Sequence, residues 1–149
     1  MRHILDFLRR AILALKIGGI DESAIVEPNV LADLGEKSLY FEISASDFEA
    51  RPETERSVAG SRRGSIVVSG ALGRGIDRVD AIAQALVDLF SSYNASRFYG
   101  WTTRERVYPF VGARRTERVY VVGVERSNGT VADGRYKTRI SVLLDVYEE

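Results

Sequence analysis

The stretch from Gly64 to Phe90 decides the fold, and it reads GSIVVSGALGRGIDRVDAIAQALVDLF. Its first part is β-branched, which is typical of a strand, and its second part carries apolar residues at helical spacing. Three glycines, Gly70, Gly73 and Gly75, allow the tight reversal by which the helix folds back onto its own strand. The apolar stripe of the helix consists of Ile76, Val79, Ile82, Ala83, Leu86, Leu89 and Phe90.

Two carboxylates mark the start of this predicted helix. Asp77 is a good N-cap residue, and Asp80 follows three residues later, near the positive end of the helix dipole. The stretch therefore predicts a strand, a glycine-rich turn and an amphipathic helix whose apolar face covers the sheet at the centre of the core.

The chain has the composition of an ordinary globular protein. Of its 149 residues, 45% are apolar and 28% are charged, and this length suits one domain with one core. The absence of cysteine excludes disulfides, thiolate metal sites and thiol nucleophiles. No apolar run reaches the ~18 residues of a membrane span, and the N-terminus lacks the features of a signal peptide. We therefore expect no membrane partner and synthesis inside the cell.

Charge is balanced over the whole chain but unevenly distributed along it. The net charge is zero, which argues against bulk affinity for nucleic acid. Residues 20–60 contain ten acidic and three basic side chains, whereas residues 61–118 contain ten arginines and five acidic side chains. The two regions can neutralise each other within one molecule, or they can meet between copies of the chain, which favours a head-to-tail oligomer. The sequence alone leaves both alternatives open.

The N-terminal part adds a helix, a strand and a loop. Residues 2–17 have an amphipathic pattern that predicts a helix, which Gly18 and Gly19 end. Residues 38–45 alternate between polar and apolar side chains, which predicts a half-buried strand. Residues 46–63 are polar, contain proline and glycine and show no period, so they predict a long loop. This loop is either a flexible hairpin tip or a segment that becomes ordered against a partner subunit.

The C-terminal part adds three strands. Residues 105–112 predict a strand that is either at an edge of the sheet or bulged, because Pro109 interrupts it. Residues 118–147 predict a terminal hairpin whose arms are 118–125 and 135–147. The connection between the arms contains two pairs of turn-forming residues, Asn128-Gly129 and Asp133-Gly134.

Together these elements predict an α+β fold in a single domain that spans residues 1–149. The expected order is α–β–β–α–β–β–β, with a mixed, mostly antiparallel sheet of about four to five strands. The two main helices are expected to pack on one face of that sheet.

The sequence contains no recognisable catalytic or ligand-binding motif. His3 is the only histidine, so it has no second histidine or cysteine with which to form a zinc cluster or a nucleophile pair. The glycines at 70–75 have the spacing G-x-x-G-x-G, which differs from the dinucleotide-binding pattern, and Asp77 and Asp80 would repel a phosphate there. We therefore expect no catalytic residue, no cofactor and no metal, and we predict that the protein is not an enzyme.

The order of elements resembles the tail terminator family of long-tailed bacteriophages and the related minor tail proteins. In that family an N-terminal helix leads to a strand and a long loop. A second strand then runs into a Gly-x-Gly turn and a helix that ends in Phe, and a long last strand closes the chain. The corresponding segments here are GRGIDRVDAIAQALVDLF at 73–90 and RYKTRISVLLDVYEE at 135–149. The resemblance covers most of the chain and rests on this order.

The resemblance implies a structural virion protein with an α+β fold. It implies a hexameric ring that caps the tail tube at its head-proximal end, ends tube polymerisation and joins tail to head. The implied partners are further copies of the chain, the tail tube protein, the head-completion or connector protein, and DNA that passes through the lumen without sequence-specific binding. The alternatives are another head–tail connector or tail-completion protein and, from a different class, a small nucleic-acid-binding module.

Seven arginines are the candidate interface or lumen residues. Arginine suits such surfaces because its planar guanidinium donates two hydrogen bonds at once to a carboxylate or a phosphate. Pairing with the acidic side chains of residues 20–60 within one molecule is the alternative. The candidates are Arg62, Arg63, Arg74, Arg78, Arg114, Arg115 and Arg118.

Overall fold

A computed structural model describes residues 2–18, 20–28, 38–50, 58–73, 76–92, 103–108 and 113–148. These residues form two α-helices and seven β-strands, together with a short 3₁₀ helix at Glu22–Ala24. In chain order they are α1 (Arg2–Ala14), β1 (Ile25–Val26), β2 (Leu39–Ala50), β3 (Val58–Ala71), α2 (Ile76–Ser92), β4 (Thr103–Tyr108), β5 (Ala113–Arg126), β6 (Thr130–Ala132) and β7 (Arg135–Glu148).

All of these strands belong to one sheet, in the order β1-β2-β3-β7-β5-β4, and β6 pairs with the first residues of β7. The β1–β2 pairing is parallel, and the other pairings are antiparallel. The predicted α+β fold with a mixed, mostly antiparallel sheet is therefore confirmed. The five predicted strands correspond to β2, β3, β4, β5 and β7. The two additional strands, β1 and β6, are only two and three residues long.

The predicted loop at 46–63 is wrong. β2 continues to Ala50 and β3 begins at Val58, so at most residues 51–57 connect the two strands. Within the predicted loop, Asp47 pairs with Arg62 and Ala50 pairs with Gly60. Backbone pairing requires only N–H and C=O groups, so a strand whose side chains are polar on both faces gives no period in the sequence.

The terminal hairpin at 118–147 is present and is part of a larger arrangement. β5 pairs with β7 from Arg126↔Ile140 to Glu117↔Glu148, while β3 pairs with the other side of β7. Asp133 and Gly134 have φ angles of 54° and 72°, as in the two-residue turns that join tight hairpins, and they connect β6 to β7. β7 is therefore a central strand of the sheet.

Both helices differ from the sequence prediction at one end. α1 stops at Ala14 rather than at residue 17, and Lys16 adopts a left-handed φ of 51° before the predicted glycine stop is reached. α2 begins at Ile76, so Asp77 lies in its first turn and the prediction of Asp77 as N-cap is wrong. Its carboxylate still lies near the positive end of the helix dipole.

The core lies between the sheet and the two helices. α1 contacts β2 and β3, α2 contacts β3, β5 and β7, and the helices touch each other through Phe7 and Phe90, whose ring centroids are 5.9 Å apart. Two glycines of β3 permit close approach: Gly64 lies against Leu8 of α1, and a β-carbon at Gly70 would collide with Val79 of α2. The two helices therefore lie side by side on the same face, as predicted.

Candidate functional site

The candidate arginines lie on three elements. Arg62 and Arg63 are on β3, where Arg62 is half-buried and Arg63 is exposed, and Arg78 is exposed in the first turns of α2. The cluster of Arg114, Arg115 and Arg118 is on β5. Arg74 lies outside the described residues.

The β-strand arginines share one end of the sheet. β7 separates β3 from β5, with Arg62 paired to Leu144 and Arg118 paired to Tyr147. Three residues along a strand span about 10 Å, and two strand spacings span about 10 Å, so the backbones of Arg62 and Arg118 lie about 14 Å apart, and Arg114 and Arg115 follow farther toward the same end of the sheet. The arginine end of the sheet is defined here by Arg62, Arg63, Arg114, Arg115 and Arg118.

Arg78 lies near the opposite end of the sheet. Its neighbour Val79 packs against Gly70, which is eight residues along β3 from Arg62, or about 26 Å in an extended strand. The candidate arginines described by the structure therefore belong to two separate surfaces. An interface or lumen role for either surface stays a prediction.

Acidic residues are interleaved with the arginine end. Asp47 of β2 is directly opposite Arg62, and Glu117 of β5 is directly opposite Arg104 of β4. Acidic and basic positions are therefore opposite each other in the backbone register at this end of the sheet, whereas Arg115 is opposite another arginine, Arg106.

A polar cluster lies at the other end of the sheet, around Asp80 of α2. The Asp80 Oδ1 atom accepts a hydrogen bond from Arg126 Nη2 at 2.5 Å and another from Tyr136 Oη at 2.9 Å. Thr138 Oγ1 lies 3.5 Å from Arg126 Nε and donates to the Ser127 carbonyl at 3.0 Å. The Asp80 cluster, defined as Asp80, Arg126, Tyr136 and Thr138, thus joins α2, β5 and β7. Sequence reasoning assigned Asp80 only to the helix dipole.

Gly129 completes this cluster by leaving room for a tyrosine ring. A β-carbon at Gly129 would overlap the Tyr136 hydroxyl, so the glycine permits the ring to pass. The pair Asn128-Gly129 was predicted to form a turn, but Gly129 does not adopt a positive φ. Asp133-Gly134 supplies the tight turn, and Gly129 is needed for its lack of a side chain.

The hydrogen bond from Tyr136 to Asp80 raises the pKa of the Tyr136 phenol above its ordinary value of 10.0, with partial burial and the Asp80 charge acting in the same direction. A carboxylate favours the neutral phenol because the phenol donates to it and because a phenolate beside it would add a second negative charge. The cluster therefore holds a neutral tyrosine as a donor, which suits a structural contact between helix and sheet.

We expect Asp80→Asn to lower the pKa of Tyr136 toward 10.0. In the wild type the pKa of Tyr136 is higher in the folded state than in the unfolded state. The hydrogen bond from Tyr136 to Asp80 therefore contributes its full stabilisation below pH 10 and loses it as the pH rises through the folded-state pKa. Tyrosinate absorbance in an alkaline titration, with the curve of Tyr136→Phe subtracted, isolates this residue among the seven tyrosines. Asp88→Asn is the matched control, because Asp88 lies on α2 and bonds Gln84 instead. Identical Tyr136 curves for wild type and Asp80→Asn would contradict the assignment.

The face of the sheet that points away from the helices contains a buried arginine, Arg135, which the sequence analysis did not identify. Arg135 is 9% exposed, and its Nε and Nη2 atoms donate to Ser69 Oγ at 2.7 Å and to the Ser69 carbonyl at 3.1 Å. Its guanidinium carbon lies 4.4 Å from the ring centroid of Tyr40, in a cation–π contact. These contacts connect β2, β3 and β7 and explain why Tyr40 is buried although it alternates with the core residues of β2.

A cleft with charged residues in its lining lies next to β1. Its volume is about 230 Å³, and it is lined by Glu27, Glu42 and Arg139 among other residues. Arg9 of α1 pairs with Glu27, and Lys137 Nζ lies 4.0 Å from Glu42, so both carboxylates are already matched by cations. No group of three or more metal-ligating side chains occurs among the described residues. None of the described helices is long and apolar enough to cross a membrane.

Comparisons with known proteins add no functional information. No protein-family model and no curated protein matches the chain. A solved structure aligns over 95% of this chain and 94% of its own, with a TM-score of 0.47 and 15% sequence identity. Similarity at this level carries no argument about function. The arginine end and the Asp80 cluster therefore have to be interpreted from their own geometry.

Proposed function

We propose that this chain is a structural subunit of a bacteriophage tail. In this proposal, copies form a ring of the tail terminator type, which caps the tail tube, ends its polymerisation and joins the tail to the head. The observation that carries the proposal is the length of the strands relative to the part of the sheet on which the helices pack. It adds to the element order by which the sequence resembles that family.

β3 illustrates this extension. Leu8 of α1 packs on Gly64, and Leu144, which is paired with Arg62, is still buried, so β3 continues for four further residues beyond this level to Val58, about 13 Å in an extended strand. Gly60 and Ser61 pair with both β2 and β7, and Val58 and Ala59 pair with β7, so this end of β3 is part of a sheet and not a single arm. β5 continues past Glu117, its last residue paired with β7, to Ala113. Long strands of this kind offer a surface that can contact neighbouring subunits.

Charge supports the same proposal. The arginine end combines five arginines with acidic residues in register, which suits contacts between polar protein surfaces better than uniform binding to a polyanion. In a ring, arginines that face the lumen would lower the cost of passing DNA without reading its sequence. The proposed partners are therefore other copies of this chain, the tail tube protein, the head-completion or connector protein and DNA in transit, all at the head-proximal end of the tail.

The test is the assembly state of the protein and its effect on tube length. We expect light scattering after size exclusion to give a hexamer and negative-stain images to give closed rings. Added to the polymerising cognate tail tube protein, the protein should appear at one end of each tube and stop its elongation. A protein that stays monomeric and leaves tube length unchanged would contradict the proposal.

A small nucleic-acid-binding module is the second candidate, because five arginines share one end of the sheet. It predicts DNA affinity that falls steeply with added salt, with a slope set by the number of phosphates contacted. Salt-titrated binding to a DNA duplex by a persistent monomer would favour this candidate over the ring.

A further inference from the structure

The connection between β5 and β6 contains the dipeptide Asn128-Gly129. On one side of it, the Ser127 N–H group donates to the Arg139 carbonyl at 2.9 Å, and the Ser127 carbonyl accepts from Thr138 Oγ1 at 3.0 Å. On the other side, β6 begins at once and pairs with β7. Among the described residues, none accepts a hydrogen bond from the Gly129 N–H group or from the exposed Asn128 side chain. The dipeptide is therefore anchored at both ends and unrestrained between them.

An unrestrained Asn-Gly dipeptide is chemically labile. The Gly129 backbone nitrogen can attack the side-chain carbonyl carbon of Asn128, Cγ, which closes a five-membered imide ring. The C–N bond of the side-chain amide breaks, and its nitrogen leaves as ammonia together with the proton of the Gly129 N–H group. Water then opens the ring at either carbonyl and gives an aspartate or an isoaspartate at position 128. Glycine favours this attack because it has no β-carbon to hinder its nitrogen, and asparagine is a thermolabile residue.

Packing requires the glycine of this dipeptide. A β-carbon at Gly129 would overlap the Tyr136 hydroxyl, so a larger residue there would displace the tyrosine ring. The same hydroxyl donates to Asp80 Oδ1 at 2.9 Å and thereby joins β7 to α2. The contact that connects the helix to the sheet therefore depends on the residue that makes Asn128 reactive.

We propose that Asn128 is a site of spontaneous deamidation in the folded protein, and that its isoaspartate product weakens the contact of Tyr136 with Asp80. An isoaspartate continues the chain through its side-chain carbonyl, which adds one backbone carbon between the anchored Ser127 and Gly129. The lengthened backbone moves Gly129 from its position against the tyrosine ring. The link between α2 and β7 then weakens as the protein ages. The modification does not depend on the proposed tail role.

Peptide mass spectrometry after incubation tests the site. The full-length protein is kept near neutral pH at physiological temperature and digested with trypsin at intervals. The tryptic peptide 127–135 contains a single side-chain amide, so conversion of amide to carboxyl in this peptide reports Asn128 alone. We expect Asn128 to react about tenfold faster than Asn29 and Asn94, because valine and alanine follow those two asparagines.

The unfolded chain in urea provides the reference rate. We expect Asn128 of the folded protein to react within about tenfold of that reference, because a connection without hydrogen bonds of its own opens at little cost in free energy. Deamidation of the unfolded chain without deamidation of the folded protein would overturn the proposal. Equal rates at the three asparagines of the folded protein would also overturn it, because the glycine would then have no effect.

The alkaline titration of Tyr136 tests the consequence. We expect a fraction of the aged protein, equal to the isoaspartate fraction found by fragmentation of the peptide, to titrate nearer the ordinary pKa of 10.0. Asn128→Gln is the matched control, because its longer side chain keeps an exposed amide but cannot close the five-membered ring. Asn128→Asp has the added charge on a backbone of normal length and should keep the raised pKa of Tyr136. Isoaspartate that leaves the Tyr136 titration unchanged would overturn the link to the Asp80 contact.

Discussion

Reversing the charge of Arg114 and Arg115 together should abolish assembly and leave the subunit folded. Both residues lie in the part of β5 that extends beyond its pairing with β7, next to the edge strand β4. The double substitution Arg114→Glu, Arg115→Glu lowers the net charge from zero to −4 and turns a basic edge acidic. Because like charges across an interface cost several kcal/mol, we expect association to weaken about 100-fold or more, measured by light scattering or native mass spectrometry.

The register explains why the fold should tolerate this change. Arg115 is opposite Arg106 in the register, so a glutamate at 115 would be opposite an arginine and would add no like-charge pair there. Arg114 is opposite Val107, so no charge pair is lost by register. We expect the free energy of unfolding to change by less than about 1 kcal/mol.

A matched control distinguishes loss of a local contact from a general effect of net charge on assembly. The double substitution Arg10→Glu, Lys16→Glu also lowers the net charge by four, at two exposed positions on or just after α1. This control should assemble like the wild type. If Arg114→Glu, Arg115→Glu also assembles normally, the basic end of β5 has no part in the contact. If both variants fail equally, the effect is one of net charge.

The central part of the fold could be predicted because its buried positions are apolar and its exposed positions are mostly polar. From Gly64 to Phe90 the period changes from that of a strand to that of a helix, and Val79, Ile82, Leu86 and Phe90 are buried as the pattern predicts. On β7, Thr138, Ile140, Val142 and Leu144 alternate inward in the same way. A face that packs on a core restricts its residues to apolar types, so periodicity reveals it.

Strands beyond the core could not be predicted by the same means. The second half of β2 and the first half of β3 consist mostly of polar and small residues, with Phe48 and Val58 as exceptions, yet they pair from Ser46↔Arg63 to Ala50↔Gly60. Pairing between these segments needs only backbone N–H and C=O groups and imposes no apolar period on their sequence. A loop was predicted there because absence of a period indicates absence of a packed face and not absence of pairing.

The Asp80 cluster and the arginine end are formed by residues that are far apart in the sequence, so their proximity could not be predicted from the sequence alone. Arg126 and Tyr136 are 46 and 56 residues from Asp80, and their meeting requires both the β5–β7 register and the packing of α2 on that end of the sheet. Likewise, the arginine end exists because β7, the last strand in the chain, is inserted between β3 and β5. Strand order in the sheet, which decides both, leaves no local pattern in the sequence.

Truncating Phe90 to alanine should cause a large loss of stability. Phe90 lies near the end of α2, is 1% exposed and packs against Phe7 of α1, with the rings tilted by 38°. Phe90→Ala removes this buried ring and leaves a cavity at the junction of both helices. We expect the free energy of unfolding in urea to fall by about 3–5 kcal/mol, a large fraction of the ~5–15 kcal/mol that stabilises a typical domain.

A control on the same helix and a double mutant make this result specific. Ile76→Ala removes an apolar side chain that is 47% exposed, and it should change stability by no more than about 0.5 kcal/mol. Combining Phe7→Ala with Phe90→Ala should cost less than the sum of the two single changes, by about 0.5–1.5 kcal/mol, because the second truncation no longer breaks the ring pair. Equal losses for Phe90→Ala and Ile76→Ala would mean that α2 does not present this face to the core. Strict additivity of Phe7→Ala and Phe90→Ala would mean that α1 and α2 pack on the sheet independently of each other.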